Sequence, residues 1–307
     1  MNLKEWIKRT VFYNPLRWIY HSPRRLYSTL HSLLLEYLYR LLAAFSGGRR
    51  GVTDVKREQE LIVSLTTIPE RIATIHLCLE TLLRQTIKPD RIILWLSESN
   101  EPGRPQVSAG QLPVALTKLI KRGVEIRWCN DIRSFRKIIP TLRAFPDALI
   151  VISDDDIFYP RNWLYKLYEA YLREPQYIHC HRAHLIKYDI SGAPLPYRQW
   201  EFLAPRYQGP SFDLFPTGVG GVLYAPGHLH PEVLNEQAFL ELCPKADDVW
   251  LKVMSIMNNV KCKKTSVDSL QIMEICIPNN RTLSSENVEQ NGNDFQIQAI
   301  RRMYNIF

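Results

Sequence analysis

From Glu60 onward the chain alternates short apolar runs with stretches of helical period, and this alternation limits the fold more than any other feature. Residues 61–65, 91–96, 124–128 and 148–153 read as strands. Residues 72–85, 112–122 and 137–144 repeat their apolar positions at helical spacing. Apolar runs of this length bounded by polar stops are buried strands, and repeated strand–helix alternation predicts an α/β fold with a mainly parallel sheet flanked by helices. Beyond residue 156 the regularity falls. Residues 177–181 read as a strand and 194–216, rich in Pro, Tyr and Trp, as a loop or lid. Residues 233–240 and 247–257 read as helices, and 291–294 as a turn before a terminal helix.

The fourth strand ends in three aspartates, Asp154, Asp155 and Asp156. Open α/β sheets bind ligands at the C-terminal ends of their strands. Three adjacent carboxylates repel one another, so a cation is their natural partner, and carboxylate oxygen suits a hard divalent ion such as Mg2+ or Mn2+, often bridging to phosphate. The bland alternative is a turn, or Asp156 capping the helix that follows near residues 161–173.

The 307 residues carry a net charge of +8, distributed unevenly. Residues 1–50 hold nine Lys/Arg against two Glu, a net +7, and the rest of the chain contributes +1. A nucleic-acid-binding enzyme spreads its basic surface through the working domain, so nucleic acid is excluded as the expected partner. The six cysteines form no CxxC pair and show no zinc-finger spacing, which predicts free thiols, buried at positions such as Cys78 and Cys276. Within residues 1–46, aromatics interleave with Lys and Arg, and Leu30, Leu33, Leu34, Tyr37, Leu38, Leu41 and Leu42 recur at helical spacing. The apolar stretch is too short and too charged to span a bilayer, and it lacks the pattern of a signal peptide. An amphipathic helix of this kind favours the headgroup region of anionic membranes, or packs on the following domain. Residues 46–51, Ser-Gly-Gly-Arg-Arg-Gly, read as a flexible linker.

Four stretches together resemble GT-A-fold glycosyltransferases, and more narrowly bacterial surface-polysaccharide transferases. Residues 63–71 (VSLTTIPER) are similar to the first strand and nucleotide-binding loop of that family, and residues 153–156 (SDDD) to its DxD motif. Residues 216–223 (PTGVGGVL) resemble its glycine-rich loop. Residues 246–251 (ADDVWL) resemble the acidic-Asp-Val motif of β-1,3-galactosyl- and N-acetylglucosaminyltransferase-like enzymes. The resemblance spans about residues 60–260. It does not cover residues 1–51, which read from their own pattern as a basic amphipathic helical segment and linker, and it implies residues 52–307 as the transferase domain. Within that domain, about 60–156 form the nucleotide-binding half and 157–307 the acceptor-binding half.

The resemblance also implies roles. Asp156 and Asp154 are expected to hold Mn2+ or Mg2+, with Asp154 on the ribose side and Asp155 beside them. Thr66, Thr67, Arg71, Lys137, Gly220 and Gly221 are expected to meet the nucleotide-sugar. Asp248 is expected to take the acceptor's proton, with Asp247, where the family usually has Glu, as its neighbour. The residues themselves allow plainer readings: Thr66 and Thr67 as an N-cap, Lys137 as a solvated helix start, Asp247 and Asp248 as capping acids. His179, His181 and His184 suggest a structural or donor-site cluster rather than zinc. His228, His230 and Asp294 are further ligand candidates in no secure motif. Tyr197, Trp200 and Tyr207 are packing residues or sugar platforms.

The activity implied is transfer of galactose or N-acetylglucosamine from a UDP-sugar to a surface glycan on a lipid carrier, by inversion. The enzyme would be cytoplasmic and peripheral on the inner membrane face. The rivals are a retaining transferase on the same fold, a sugar nucleotidyltransferase, and a non-catalytic membrane-associated scaffold. A nucleotidyltransferase normally carries a glycine-rich basic loop after its first strand, and Thr66-Thr67-Ile68-Pro69 is not one.

Overall fold

The computed structural model describes residues 30–45, 48–55, 57–97, 107–267, 270, 272–276, 287 and 291–306. The basic stretch 1–29 and residues 46–47 of the linker lie outside the described residues. A helix over residues 30–44 (α1) precedes the α/β body. There β1 (Leu61–Thr66), β2 (Arg91–Leu96), β3 (Val124–Trp128) and β4 (Leu149–Ile152) alternate with α2 (Ile75–Leu82), α3 (Val114–Ile120) and α4 (Ile139–Ala144). Then come β5 (Ile157–Phe158), α5 (Trp163–Arg173), β6 (Ile178–Cys180), β7 (Ala183–Leu185), β8 (Leu214–Pro216) and β9 (Val222–Tyr224). The chain continues through α6 (Glu236–Leu242), α7 (Asp247–Met257), β10 (Cys262–Lys264), β11 (Met273–Glu274) and α8 (Gly292–Tyr304).

Seven strands form one sheet in the order β10-β6-β9-β4-β1-β2-β3. The fold is α/β, with this sheet parallel except for β9, which runs antiparallel to both β4 and β6. The central strands β1, β2 and β4 are apolar at nearly every position because both faces are covered, whereas the edge strands β3 and β10 carry charged residues. In β1, Ile62 joins the core on one face with Ile93, Ile150 and Ile152. Leu61, Val63 and Leu65 join the other with Ile92, Leu94, Leu149 and Val151. Each such side chain contributes about 1.5–3 kcal/mol on burial.

The alternating half follows the sequence reading closely. All three of its helices are shorter than their periodic stretches, and a 3-10 turn precedes each: Pro69–Arg71 before α2, Ala109–Gln111 before α3, and Arg133–Lys137 before α4, whose Pro140 sits in the first turn. Four pairings were not foreseen: β9 and β10 in the main sheet, the β5–β11 ribbon and the β7–β8 pair. Each involves strands of two or three residues, too short for a periodic signal. The linker reading needs correction at its end. Gly51 lies against Leu83 with its N–H on the Arg122 carbonyl, and Val52 enters the core. The thiol reading also needs one: Cys78, Cys180, Cys243 and Cys262 are buried, but Cys276, beyond the β11 ribbon, is exposed.

Candidate active site

The order β4-β1-β2 places a topological switch between β1 and β4, where the connections leave in opposite directions and a crevice opens at the strands' C-terminal ends. Thr67 follows β1 there and Asp154 follows β4. The antiparallel β9 adds a third wall. An antiparallel strand begins where its parallel neighbours end, so pairing of Val222 with Ile152 brings the preceding Gly218–Gly221 turn to the same edge. The first turn of α7 supplies the fourth wall.

Asp155 is buried and fully engaged, taking the Thr67 hydroxyl at 2.5 Å on one oxygen and the Arg71 guanidinium at 2.5 Å on the other. Arg71 also reaches Asp156 at 3.0 Å. Burial, then the adjacent Asp155, raises the Asp156 carboxyl to about 7. Asp154 pairs with Lys137 at 3.0 Å, and the same ammonium lies 2.7 Å from Asp247. Burial alone would lower Lys137, but Asp154, Asp247 and Asp248 together hold it well above its ordinary value, so it stays charged. Asp248 accepts the Gly218 N–H at 3.0 Å and is raised to about 7, first by burial and then by Asp247.

Asp247 and Asp248 do sit in the first turn of α7, where a helix start favours acids, but none of these residues makes a side-chain cap bond. The caps before the Pro69–Arg71 turn, α5 and α7 are Ile68, Asn162 and Ala246, none with a side-chain cap bond. Of the candidate residues, Thr67, Arg71, Lys137, Asp154, Asp155, Asp156, Asp247 and Asp248 come together around one crevice. Thr66 turns away and donates to the Trp95 carbonyl on β2. Gly220 and Gly221 lie on the crevice wall but are filled in by protein. A Cβ on Gly220 would meet Arg182 at 2.6 Å, and one on Gly221, at φ +93°, would meet the Trp163 ring at 2.5 Å. It is Gly218 that faces the charges, its would-be Cβ 2.7 Å from the Lys137 ammonium and 3.1 Å from Asp248.

Three further contributors are not picked out singly by the sequence, although Arg136 stands in the basic stretch with Arg133 and Lys137 and Tyr159 in the Phe-Tyr-Pro run after the aspartates. Arg136, one residue before Lys137, is buried and ties Ser97, the Thr67 carbonyl at 3.2 Å and Asp131 at 3.2 Å together. Tyr159 accepts the Asp154 N–H at 2.9 Å and donates to the Val219 carbonyl at 3.2 Å, joining the aspartate run to the glycine turn. Trp163 donates to the Gly220 carbonyl at 2.7 Å. The Phe158-Tyr159-Pro160 run strengthens the reading of the aspartates as a motif, but which carbonyl each aromatic meets depends on the fold.

The histidines are structural. His181 bonds Thr265 at 2.7 Å and the Trp163 carbonyl at 2.9 Å, His179 the Glu174 carbonyl at 2.8 Å, and His184 accepts the Leu203 N–H at 3.0 Å. Burial lowers His181 to about 4 and His184 to about 3, so both are neutral at ordinary pH. His228 meets the Pro175 carbonyl, His230 caps the Pro231–Leu234 turn and Asp294 accepts the Tyr197 N–H, all with partners outside the crevice. Tyr197 and Trp200 are buried, with ring centroids 4.8 Å apart, and both contact Phe215.

Among the described residues no three His, Cys, Asp or Glu side chains converge as a metal cage built of protein alone. Mg2+ seldom needs one, since it is commonly held by one or two carboxylates with substrate phosphates and water. Asp154 and Asp156 each have one oxygen on a cation and a second with no hydrogen-bond partner among the described residues. That donor set fits a substrate-bridged hard cation. A separate cavity of about 600 Å³ opens at the opposite edge of the sheet, lined by Val52, Glu60, Arg91, Glu125 and Arg127. Its charges pair among themselves.

No protein-family model and no curated protein sequence matches the chain. Among solved structures, a 4-diphosphocytidyl-2C-methyl-D-erythritol synthase shares 12% identity at a TM-score of 0.39, over 68% of this chain and 89% of its own. A UTP-bound UGPase from Acinetobacter baumannii shares 10% identity at a TM-score of 0.40, over 81% of this chain and 99% of its own. Likeness at that level carries no argument about what this chain does.

Proposed function

We propose that the chain is a metal-dependent glycosyltransferase of the GT-A type. It would move a galactose- or N-acetylglucosamine-type sugar from a UDP-sugar to a surface-glycan acceptor on a lipid carrier, with inversion. One observation carries the reading: Lys137 bridges Asp154, at the end of β4, to Asp247, at the start of α7, with contacts of 3.0 and 2.7 Å. Two acidic motifs about ninety residues apart in the sequence thereby share one crevice.

In this reading Asp154 and Asp156 hold Mn2+ or Mg2+, which when bound supplies neutralisation of the diphosphate leaving group. Arg71 stands beside them as a second source of positive charge for phosphate oxygens. Asp248 is the base. The acceptor hydroxyl oxygen forms its bond to the anomeric carbon as the bond from that carbon to the diphosphate breaks. The hydroxyl proton goes to an Asp248 oxygen and UDP leaves with the electron pair. A carboxylate raised to about 7 suits a proton acceptor working near neutral pH. The Gly218 N–H fixes its orientation and Lys137 offsets the charge of Asp247 behind it.

The second reading is a sugar nucleotidyltransferase. What favours it is the trio Arg71, Arg136 and Lys137, three cations at one strand edge that would also suit a triphosphate. The UTP-bound UGPase among the structural neighbours fits it too, but at a TM-score of 0.40 adds no weight.

Calorimetric titration with UDP, GDP, CMP and dTDP, with and without Mn2+, is the first test. Mn2+-dependent binding of UDP is expected, and it should be lost in Asp156→Ala while the circular dichroism stays that of the parent. Unchanged UDP affinity in that variant would remove the metal assignment. Turnover separates the classes. Release of UDP from a UDP-sugar supports the transferase, and pyrophosphate from UTP and a sugar 1-phosphate supports the second reading. A folded protein with neither would be a scaffold.

A further inference from the structure

The helix α1 is apolar on two sides, and the described residues of the body cover only one. Its inner side carries Ser32, Leu35, Tyr39 and Leu42. Leu35 and Tyr39 pack on the core under β1, and the Tyr39 ring stacks on Phe158 at 5.4 Å. The Ser32 hydroxyl accepts the Cys276 N–H at 2.9 Å, and Arg84 donates to the Leu42 carbonyl at 2.6 Å. The outer side is an unbroken stripe of Leu30, Leu33, Leu34, Tyr37, Leu38 and Leu41, continued by Phe45. All are exposed, Leu34 by 64%, Tyr37 by 63% and Phe45 by 82%. A helix with apolar residues all round is stable in water only when both sides are covered.

The charge of the surrounding sequence points to the second cover. Residues 1–50 carry a net +7. Arg40, half-exposed and paired with Glu36 one turn away at 2.7 Å, flanks the stripe. No helix among the described residues is long and apolar enough to cross a membrane. Exposed leucines and aromatics on one side of a helix, with basic residues at its flank and in the chain around it, suit the boundary between headgroups and acyl chains of an anionic bilayer.

The place of α1 in the fold gives this a further consequence. Phe158, on which Tyr39 stacks, lies in β5, two residues after Asp156. Strand β11, next to Cys276, pairs with β5, and the Ile275 N–H donates to the Asp156 carbonyl at 2.7 Å. Helix α1 therefore braces the ribbon that carries the last aspartate of the run. We propose that the outer face of α1 is a docking surface for an anionic lipid bilayer, which holds the crevice beside the membrane. This deepens the proposed function, because a site held there would meet an acceptor carried on lipid, but the docking surface is tested without any turnover.

The test is flotation of the full chain with vesicles of phosphatidylcholine alone and of phosphatidylcholine with phosphatidylglycerol. The parent should float with the anionic vesicles and far less with the neutral ones. The triple variant Leu34→Gln, Tyr37→Gln, Leu41→Gln should lose anionic-vesicle binding by more than about tenfold, since several partly buried apolar side chains are removed from the contact. All three positions are exposed, so its thermal midpoint and its UDP affinity should stay those of the parent. Failure of the parent to float, or flotation of the triple variant equal to the parent's, overturns the proposal. So does a concentration-dependent dimer in sedimentation velocity that the triple variant abolishes without any change in flotation, because the stripe would then be the cover of a second copy. UDP binding reads the catalytic proposal separately, so either can fail alone.

Discussion

Two runs of aspartate lie in the crevice, Asp154–Asp156 after β4 and Asp247–Asp248 at the head of α7, and they are held in opposite ways. The first run is braced by side chains from the other end of the nucleotide-binding half: Thr67 and Arg71 on Asp155, and Arg71 on Asp156. The second meets a single backbone N–H, from Gly218, and a single ammonium, from Lys137. Lys137 is the only side chain among the described residues that ion-pairs with both runs. The difference teaches that like residues clustered by sequence acquire separate tasks from their counter-charges. Asp156 and Asp248 are both raised to about 7, so what separates them is the Arg71 guanidinium, which stands beside Asp156 where phosphate oxygens and an ion would lie. A carboxylate that meets a neutral donor can give and take a proton.

Removing the proton acceptor should have the largest effect. Asp248→Asn keeps the shape and the space, so UDP-sugar affinity by calorimetry should match the parent. The transfer rate should fall by about 10²–10⁴-fold, the usual worth of a positioned base. A rate near the parent's would move the base elsewhere, and a product with the donor's anomeric configuration by NMR would assign Asp248 another role in a retaining enzyme.

Breaking the bridge comes next. Lys137→Met leaves the buried Asp247, with the partly exposed Asp154 beside it, without their cation, which should cost about 3–5 kcal/mol in urea unfolding, as removal of one partner of a buried ion pair does. Unchanged stability would mean that water or Arg71 replaces the ammonium.

The glycine turn offers a smaller effect that divides wall from site. Gly221→Ala strains a left-handed backbone and presses on the Trp163 ring, so a loss of about 1–3 kcal/mol in stability is expected. Gly218→Ala meets the flexible end of Lys137 instead and should change the transfer rate more than the thermal midpoint. The reverse ranking would place Gly221, not Gly218, nearest the chemistry.

The smallest effect is pH dependence. Asp248 must be ionised to act, so the transfer rate should fall about tenfold per unit as pH drops below about 7 and level off above it. Stability should move the other way. Because the folded carboxyl is raised from its ordinary 3.8 to about 7, the folded state keeps a proton that the unfolded chain has released. The contribution of this group to stability is full below 3.8 and lost as pH rises to about 7. In Asp248→Asn this opposing slope should flatten in pH-resolved thermal denaturation.

The alternating half of the fold was legible because β1, β2 and β4 are buried on both faces and therefore apolar nearly along their length, while the edge strand β3 alternates Val, Ile and Trp with Glu125 and Arg127. The bounds of β2, β3 and α7 match their sequence patterns. The aspartate runs were legible too, since adjacent like charges after a buried strand or at a helix start are uncommon without a counter-ion. What stayed hidden depends on through-space partners. Arg136 and Tyr159 act by bonds to backbone groups that no local pattern marks, and Gly220 and Gly221 are glycines because Arg182 and Trp163 occupy the space beside them. The three-residue β9 has no periodicity to read, yet its reversed direction is what carries the glycine turn to the strand edge.

By itself, then, the sequence determined the layered α/β plan, the position of the first aspartate run at a strand end and the basic, amphipathic character of the first fifty residues. These follow from local periodicity and composition, which need no knowledge of what lies opposite. Only the tertiary structure decided that Lys137 joins the two acidic runs, that Gly218 rather than Gly220 faces them and that one side of α1 stays uncovered. Those outcomes depend on which elements the sheet order and the reversed strand bring within a few ångströms of one another.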